Sequence, residues 1–381
     1  MFNLKKHFLL DPSVVFLNHG SFGATPEPVF REYQRWQREL ENQPVEFLGR
    51  RITGLMADSR AILGNYVGTH ADNLVYAQNA TIALNIVARS LNLKPGDEVL
   101  ATNHEYGAVD RMWRFLSKER GFNYVNRAMS TPIASKEKFI EEFWAGVTPN
   151  TRVICISHIS SPTAIIFPVE EIIRRAKEAG IVTIVDGAHA PGQLPLHLDS
   201  LGADFYAGNL HKWLCAPKGA GFLYARPESQ NLVKPLVVSW GYEPETPVSS
   251  EFVSHHEWWG TRDMAAFLSV PAAIEFQAKH DWERVRVACH QLALECQQKI
   301  CELTGLAPLH PLEDDWFRQM FSAPLPMTTD VAQLKTRLYD EFKIEVPVHE
   351  WNGNKLIRVS VQGYNTREDV DALCDALSRL L

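Results

Sequence analysis

Several function classes are missing from this chain before any motif is weighed. No run approaches the ~18 consecutive apolar residues of a membrane span, and no basic cluster offers a footing for nucleic acid, the net charge being −7. The six cysteines stand at 155, 215, 289, 296, 301 and 374, with no C-x-x-C pair and no Cys/His set at zinc spacing. Scattered thiols of this kind read as reduced, so a cytoplasmic location is expected. The opening MFNLKKHFLLDPSVVF has no long apolar core and no cleavage site, so no secretory leader is expected. The segment KGAGFLY lacks the G-x-G-x-x-G fingerprint and precedes a strand rather than a helix, which argues against a nicotinamide dinucleotide site. Internal repeats and low-complexity segments are also missing.

What is present is the material of a large globular protein. The 381 residues are 45% hydrophobic and 22% charged, enough for one large domain and one smaller one. Short apolar runs at 97–103, 152–159, 181–188, 203–209 and 220–226 read as buried strands. Between them, 81–93 and 169–180 carry helical spacing, the second opening on acids and closing on Gly180. Strand, helix, strand with short connections predicts an α/β fold on a doubly wound, mostly parallel sheet. Past Gly260 long helical patterns take over, followed by two strand-like runs and a last helix, an α+β unit. The expected division is a large domain over 17–262 and a small domain made of 1–16 and 263–381.

Ligands on an open parallel sheet bind beyond the carboxyl ends of the strands. Titratable groups gather there: Asn103, His104 and Glu105; His158, Ser160 and Ser161; Asp186; and Asn209, His211 and Lys212. A carboxylate on a buried strand end needs a cationic partner. A lysine in apolar surroundings loses basicity and becomes a nucleophilic amine. One cofactor uses both groups: pyridoxal 5'-phosphate joins a lysine as a Schiff base and needs an acid beside its pyridine nitrogen. Its phosphate needs a cradle, which Asn79, Ala80 and Thr81 offer at the start of a helix with free N–H groups.

The block VDGAHAPGQLPLHLDSLGADFYAGNLHKW, ending at Trp213, resembles the class V aminotransferase group of pyridoxal-phosphate enzymes, of fold type I. FLNHGSFGATP (16–26), NQPVEFLGRR (42–51), NHEYGAVDRMW (103–113), SHISSPTAIIFPVEEI (157–172), WWGTRD (258–263) and IEVPVHEWNGNKLIRVSVQGYNT (344–366) look like its isopenicillin N epimerase-like branch. The resemblance implies that Lys212 bonds the cofactor and shuttles the substrate α-proton, while Asp186 pairs with the pyridinium nitrogen. It implies that His104 stacks on the ring, with Tyr106 as rival, and that His189 sits near the phenolic oxygen. Asn79, Ala80, Thr81, Asn209 and His211 are implied around the phosphate. Thr261 is implied to reach the phosphate of a neighbouring subunit, which makes a homodimer with shared sites the expectation. Arg358 matches the arginine that clamps a substrate carboxylate, and Asn18 and His19 either line the substrate pocket or hold the N-terminal turn.

Two departures stand out. The loop before Arg358 carries no cysteine, which argues against persulfide-forming desulfuration, and SSPT replaces an asparagine, leaving Ser161 or Thr163 as substitutes at the phenolic oxygen. Blander readings exist for the same residues: Asp186 as a turn cap, Arg358 paired with Asp369, and His255, His256 and Glu257 as a solvated loop rather than a metal site. The resemblance implies chemistry at the α-carbon of an amino acid or peptide-like amine, with epimerisation first. C–S lysis or transamination are the alternatives, and a non-catalytic pyridoxal-phosphate-binding module is the alternative of another class.

Overall fold

A computed structural model of the chain describes residues 4–245, 248–312 and 316–381, so residues 1–3 of the N-terminal segment lie outside it. Among the described residues, seven strands form the main sheet: β1 (Leu74–Ala77), β2 (Glu98–Thr102), β3 (Asn123–Arg127), β4 (Thr151–Ser157), β5 (Val182–Gly187), β6 (Phe205–Asn209) and β7 (Gly221–Ala225). Their order is β1-β7-β6-β5-β4-β2-β3. Pairing is parallel from β3 through β6 and antiparallel on both sides of β7, so β7 alone runs against the rest. The carboxyl ends of the other six therefore open onto one edge. The expected doubly wound, mostly parallel α/β sheet is what forms.

Period-two alternation divides the sheet into two cores. Leu100, Ile154, Ile156, Val185, Tyr206 and Phe222 face a core that runs on into the C-terminal unit. Val99, Val153, Cys155, Ile184, Ala207 and Leu223 face a second core, closed by helix α1 (Ala80–Ser90) and helix α2 (Gly107–Arg120). Helix α3 (Val169–Glu178) starts on Glu170 and Glu171 and ends on Arg175 and Lys177, charges that complement its dipole. Its chain then leaves through Gly180 at φ +68°, a left-handed exit that glycine adopts without strain.

The C-terminal unit holds helix α4 (Trp282–Thr304) and a three-stranded antiparallel sheet, order β9-β10-β8, from β8 (Met320–Leu325), β9 (Val348–Trp351) and β10 (Asn354–Ser360). Helix α5 (Arg367–Leu380) closes it behind a capping box between Thr366 and Asp369. The N-terminal segment is stitched to this unit: Val15–Phe16 pairs in parallel with Ile344–Glu345, and the Leu4 N–H donates to Gly363.

Candidate active site

Lys212 lies three residues beyond β6 and comes to rest against the loop that follows the neighbouring strand β5. Its Nζ is 3.1 Å from His189 Nε2. Burial, then the charge of Arg358, lowers its pKa to about 7, with Asp186 pulling the other way. The lysine is thus poised to be a free amine near neutrality. Asp186, near the end of β5, is buried, and burial raises its pKa against the opposing pull of the Ala188 N–H, 2.9 Å away, and of Lys212. The Ala188 bond is what a turn cap would make, but Asp186 also faces the lysine. Burial, followed by the cationic neighbours Lys212 and Arg358, keeps His189 neutral, its pKa well below the ordinary value.

At the adjoining edge Asn79 caps α1, its Oδ1 accepting from the Ile82 N–H at 3.0 Å. The Ala80 N–H is not free for an anion, contrary to the sequence expectation, because Asn209 Oδ1 accepts it at 2.8 Å. Asn209 therefore ties the end of β6 to the start of α1. The Thr81 N–H and hydroxyl have no described protein partner. His211 bonds the Ala220 carbonyl through Nδ1 at 3.0 Å, which leaves Nε2 available; burial takes its pKa down to about 4.

Arg358, on β10, crosses from the C-terminal unit into the site. It donates to the Ser161 carbonyl at 2.7 Å, the Ser161 hydroxyl at 3.1 Å and the Ser21 hydroxyl at 3.0 Å. Among the described residues no carboxylate pairs with it, and its Nε is buried without a partner. Asp369 is spent on the α5 cap, bonding Thr366 and Asn365, so the structural pairing with Arg358 does not form. Ser161 thus holds the guanidinium through both its carbonyl and its hydroxyl. Thr163 is likewise committed, 2.8 Å from His104 Nδ1 and 2.8 Å from the Ser160 hydroxyl.

His19 does not line a substrate pocket. It is fully buried, with Nδ1 2.9 Å from the Tyr364 hydroxyl and Nε2 2.9 Å from the Lys212 carbonyl. Asn18 is also spent inside the protein, donating to Glu345 and accepting from Ser21. Of the two expected roles, pocket wall and turn support, the geometry gives these residues the second: they hold the lysine loop and Ser21. Gly23 completes that support at φ +71°, where a Cβ would lie 1.9 Å from the His211 carbonyl oxygen.

His104 is buried, its pKa taken down to about 3 by burial, and its Nε2 has no partner among the described residues. Trp351 of β9 lies 4.3 Å from its ring, whereas Tyr106 is exposed. Thr261 is exposed on a bend. Glu257 pairs with Arg60, and among the described residues no group of three or more His, Cys, Asp or Glu side chains could hold a metal ion. A cavity of about 800 Å³ lined by Trp36, Leu55, Ile62 and Phe276 shares no residue with this cluster; the convergence of titratable groups, not the volume, marks the site.

Sequence reasoning did not assign a role to three residues that shape the site. Glu105 is buried between the hydroxyls of Thr102 and Ser157, at 2.7 and 2.6 Å, and burial lifts its pKa to about 7. Ser21 and Trp351 reach the site only through contacts between segments distant in sequence. A buried Glu after a strand end was the one available signal for Glu105.

Comparison with known proteins identifies the family. Residues 15–373 match the aminotransferase class-V family. The chain is 36% identical to the isopenicillin N epimerase of Amycolatopsis lactamdurans, over 99% of this chain and 98% of that protein. It is 30% identical to the putative L-cysteine desulfhydrase 1 of Oryza sativa subsp. japonica, over 97% of this chain and 84% of that protein. The solved structure of the cysteine desulfurase CsdA from Escherichia coli superimposes with a TM-score of 0.81 at 22% identity, covering 99% of this chain and 97% of that one. Extent of match and identity together place the chain in the class V aminotransferase family of fold type I.

Proposed function

We propose that this chain is an isopenicillin N epimerase-like enzyme, acting at the α-carbon of an amino acid or peptide-like amine that bears a carboxylate. Pyridoxal 5'-phosphate is its cofactor. The observation that carries the reading is the Lys212–Asp186 pair at the carboxyl ends of neighbouring strands, faced by a buried Arg358 with no described anionic partner. The donor set fits the cofactor: a depleted lysine, a buried carboxylate beside it, an unsatisfied His104 Nε2, and the open Thr81 donors at a helix start.

When bound, the cofactor supplies an electron sink for the charge left by removal of the α-proton. Lys212 would bond it, Asp186 would hold a proton at its ring nitrogen, and Thr81 and His211 would meet its phosphate. Arg358 binds the substrate carboxylate with its planar fork, which Ser161 and Ser21 hold in place. Lys212, a free base near neutrality, takes the α-proton. His104, Trp351 and Phe167 form an aromatic wall that excludes water from one side. Return of a proton to the opposite face inverts the centre. The desulfhydrase relative favours a second reading, C–S lysis, in which a β-substituent leaves instead.

A homodimer completes the proposal. The stretch leading to Thr261 exposes Trp240 at 80%, with Val237, Val238 and Tyr242 beside it, an apolar surface suited to a second copy. Substituting Trp240→Asp should shift the sedimenting species toward monomer and weaken cofactor binding; an unchanged dimer would reassign that surface. Six unpaired thiols fit a cytoplasmic setting, and no helix among the described residues is long and apolar enough to cross a membrane.

The deciding test is optical and chemical. The purified protein with pyridoxal phosphate should show a visible band that Lys212→Ala abolishes, with activity falling about 10²–10⁴-fold or more. Incubation with amino acids in heavy water then separates outcomes: deuterium at the α-carbon with racemised substrate supports epimerisation, and release of pyruvate and sulfide supports lysis. Failure to take up the cofactor would overturn the reading.

A further inference from the structure

Trp213, the residue after the lysine, is fully buried, and its indole Nε1 donates to His189 Nδ1 at 3.3 Å. On the other side of the same imidazole, Nε2 lies 3.1 Å from Lys212 Nζ. An indole N–H donates and never accepts. His189 Nδ1 must therefore keep its lone pair. A neutral imidazole carries one proton, and with Nδ1 bare that proton sits on Nε2, aimed at the lysine. The chain of donors then has one direction, from indole to imidazole to amine. An ammonium at Nζ has no lone pair and would meet the Nε2–H donor to donor.

We infer that Trp213 is a positioning residue: its indole locks the His189 tautomer, and the locked imidazole presents Lys212 as a free amine. The lock does not depend on how the substrate is processed, although its catalytic consequence rests on the reading of Lys212 as the cofactor-bonding lysine. The same Nε2–H is offered to whichever acceptor stands in place of Nζ.

The surroundings hold this geometry. Gln193 donates to the His189 carbonyl at 2.8 Å and accepts from the Gln319 N–H at 3.1 Å. Gln277 donates to the Trp213 carbonyl at 2.9 Å. Gly192, at φ +93°, lets the chain pass where a Cβ would stand 2.3 Å from the Trp213 carbonyl carbon. The charged and titratable groups acting on the pair are Arg358 and Asp186 on the lysine, and Lys212, Arg358, His211 and His19 on His189. Burial first, and each of those groups whenever it is charged, disfavours a proton on His189, which keeps the imidazole neutral and the tautomer argument in force. Lys218 acts one step further out, through His19 and His211.

The test has two arms on the full-length protein before cofactor is added. In the first, nitrogen-15 histidine spectra of the wild type, with the His189 signals identified by their loss in His189→Gln, should show a bare Nδ1 and a protonated Nε2 throughout the neutral range. A protonated Nδ1, or an exchanging mixture, would overturn the inference. In the second arm, Lys212 is labelled with an amine-acylating reagent across pH and read by peptide mass spectrometry. The wild-type midpoint should lie near 7. Trp213→Phe frees the imidazole to turn its lone pair to the lysine, and labelling below the midpoint should fall about tenfold, one pH unit. His189→Gln, which can offer a carbonyl to the indole and an N–H to the amine, should keep the wild-type midpoint. An unchanged midpoint in Trp213→Phe would sink the assignment, and if that variant does not fold the wild-type spectra still decide. Failure of the cofactor to bind would instead count against the proposed function and leave the tautomer result standing.

Discussion

Arg358 shows most directly how a single side chain is committed by what it lacks. Its guanidinium is buried, its pKa drawn down to about 10 by burial, and its described partners are one carbonyl and two hydroxyls. A buried cation without an anion is costly, so the site is built to receive one. Arg358→Gln should lower kcat/KM roughly 10–200-fold, mainly through KM, because charge-assisted hydrogen bonds contribute about 1.5–3 kcal/mol. Steady-state kinetics on carboxylate and carboxamide forms of one substrate would check it: the variant should lose the preference for the carboxylate. Lys212, Asp186 and Arg358 were legible in sequence as candidates because each lies in or just beyond a strand within a recognisable motif. The roles of Ser161 and His19 were not, since nothing in the order of residues tells which hydroxyl or ring nitrogen is already taken.

At the scale of elements, the strand ends do the assembling. Five segments, at or just beyond the ends of β1, β2, β4, β5 and β6, contribute Asn79, His104, Ser161, Asp186 and Lys212 to one edge. The start of α1 is where local rules and tertiary contact meet. Asn79 caps it, and Asn209 takes the Ala80 N–H, so fewer donors face the phosphate than a free helix start would offer. Asn79→Ala should cost about 1 kcal/mol in stability, the usual worth of such a cap, and weaken cofactor affinity; denaturant unfolding and a cofactor titration would measure both. Strands β4 to β7 were readable as apolar runs bounded by turns. β3 was not, because Asn123–Arg127 is a polar strand at the edge of the sheet, where the apolar signal fades. β1 is four residues long and β8 carries Pro324, so neither gives a strong strand pattern.

The whole molecule carries an acid sensitivity that follows from its interior. Burial takes His19 and His104 down to about 3, and His158, His211, His256 and His349 down to about 4. These rings are neutral when folded and protonate near 6.5 when unfolded. Unfolding therefore takes up protons as pH falls below about 6.5, and the stability present above that value is progressively lost toward about 4. Glu105, Asp186 and Glu257 have raised pKa values and work in the opposite direction, releasing protons on unfolding. Six imidazoles outweigh three carboxyls, and below about pH 4.5 the carboxyls no longer oppose. The denaturation midpoint should fall steadily from about pH 6.5 to about pH 4; a flat profile would mean the histidines are solvated.

The sequence by itself determined the fold class and, through its resemblance to the class V aminotransferases, the cofactor, and it marked Lys212 and Asp186 as candidates, because periodicity, strand-end placement and motif order are local properties that survive without coordinates. Only the tertiary structure decided which polar atoms are already spent. Asn209 takes the Ala80 N–H, His19 turns inward to the Lys212 carbonyl, Ser161 grips Arg358, and Trp213 sets the proton on His189. Each of these bonds joins residues from different elements, and a hydrogen bond of fixed direction exists only once the chain has brought donor and acceptor within about 3 Å.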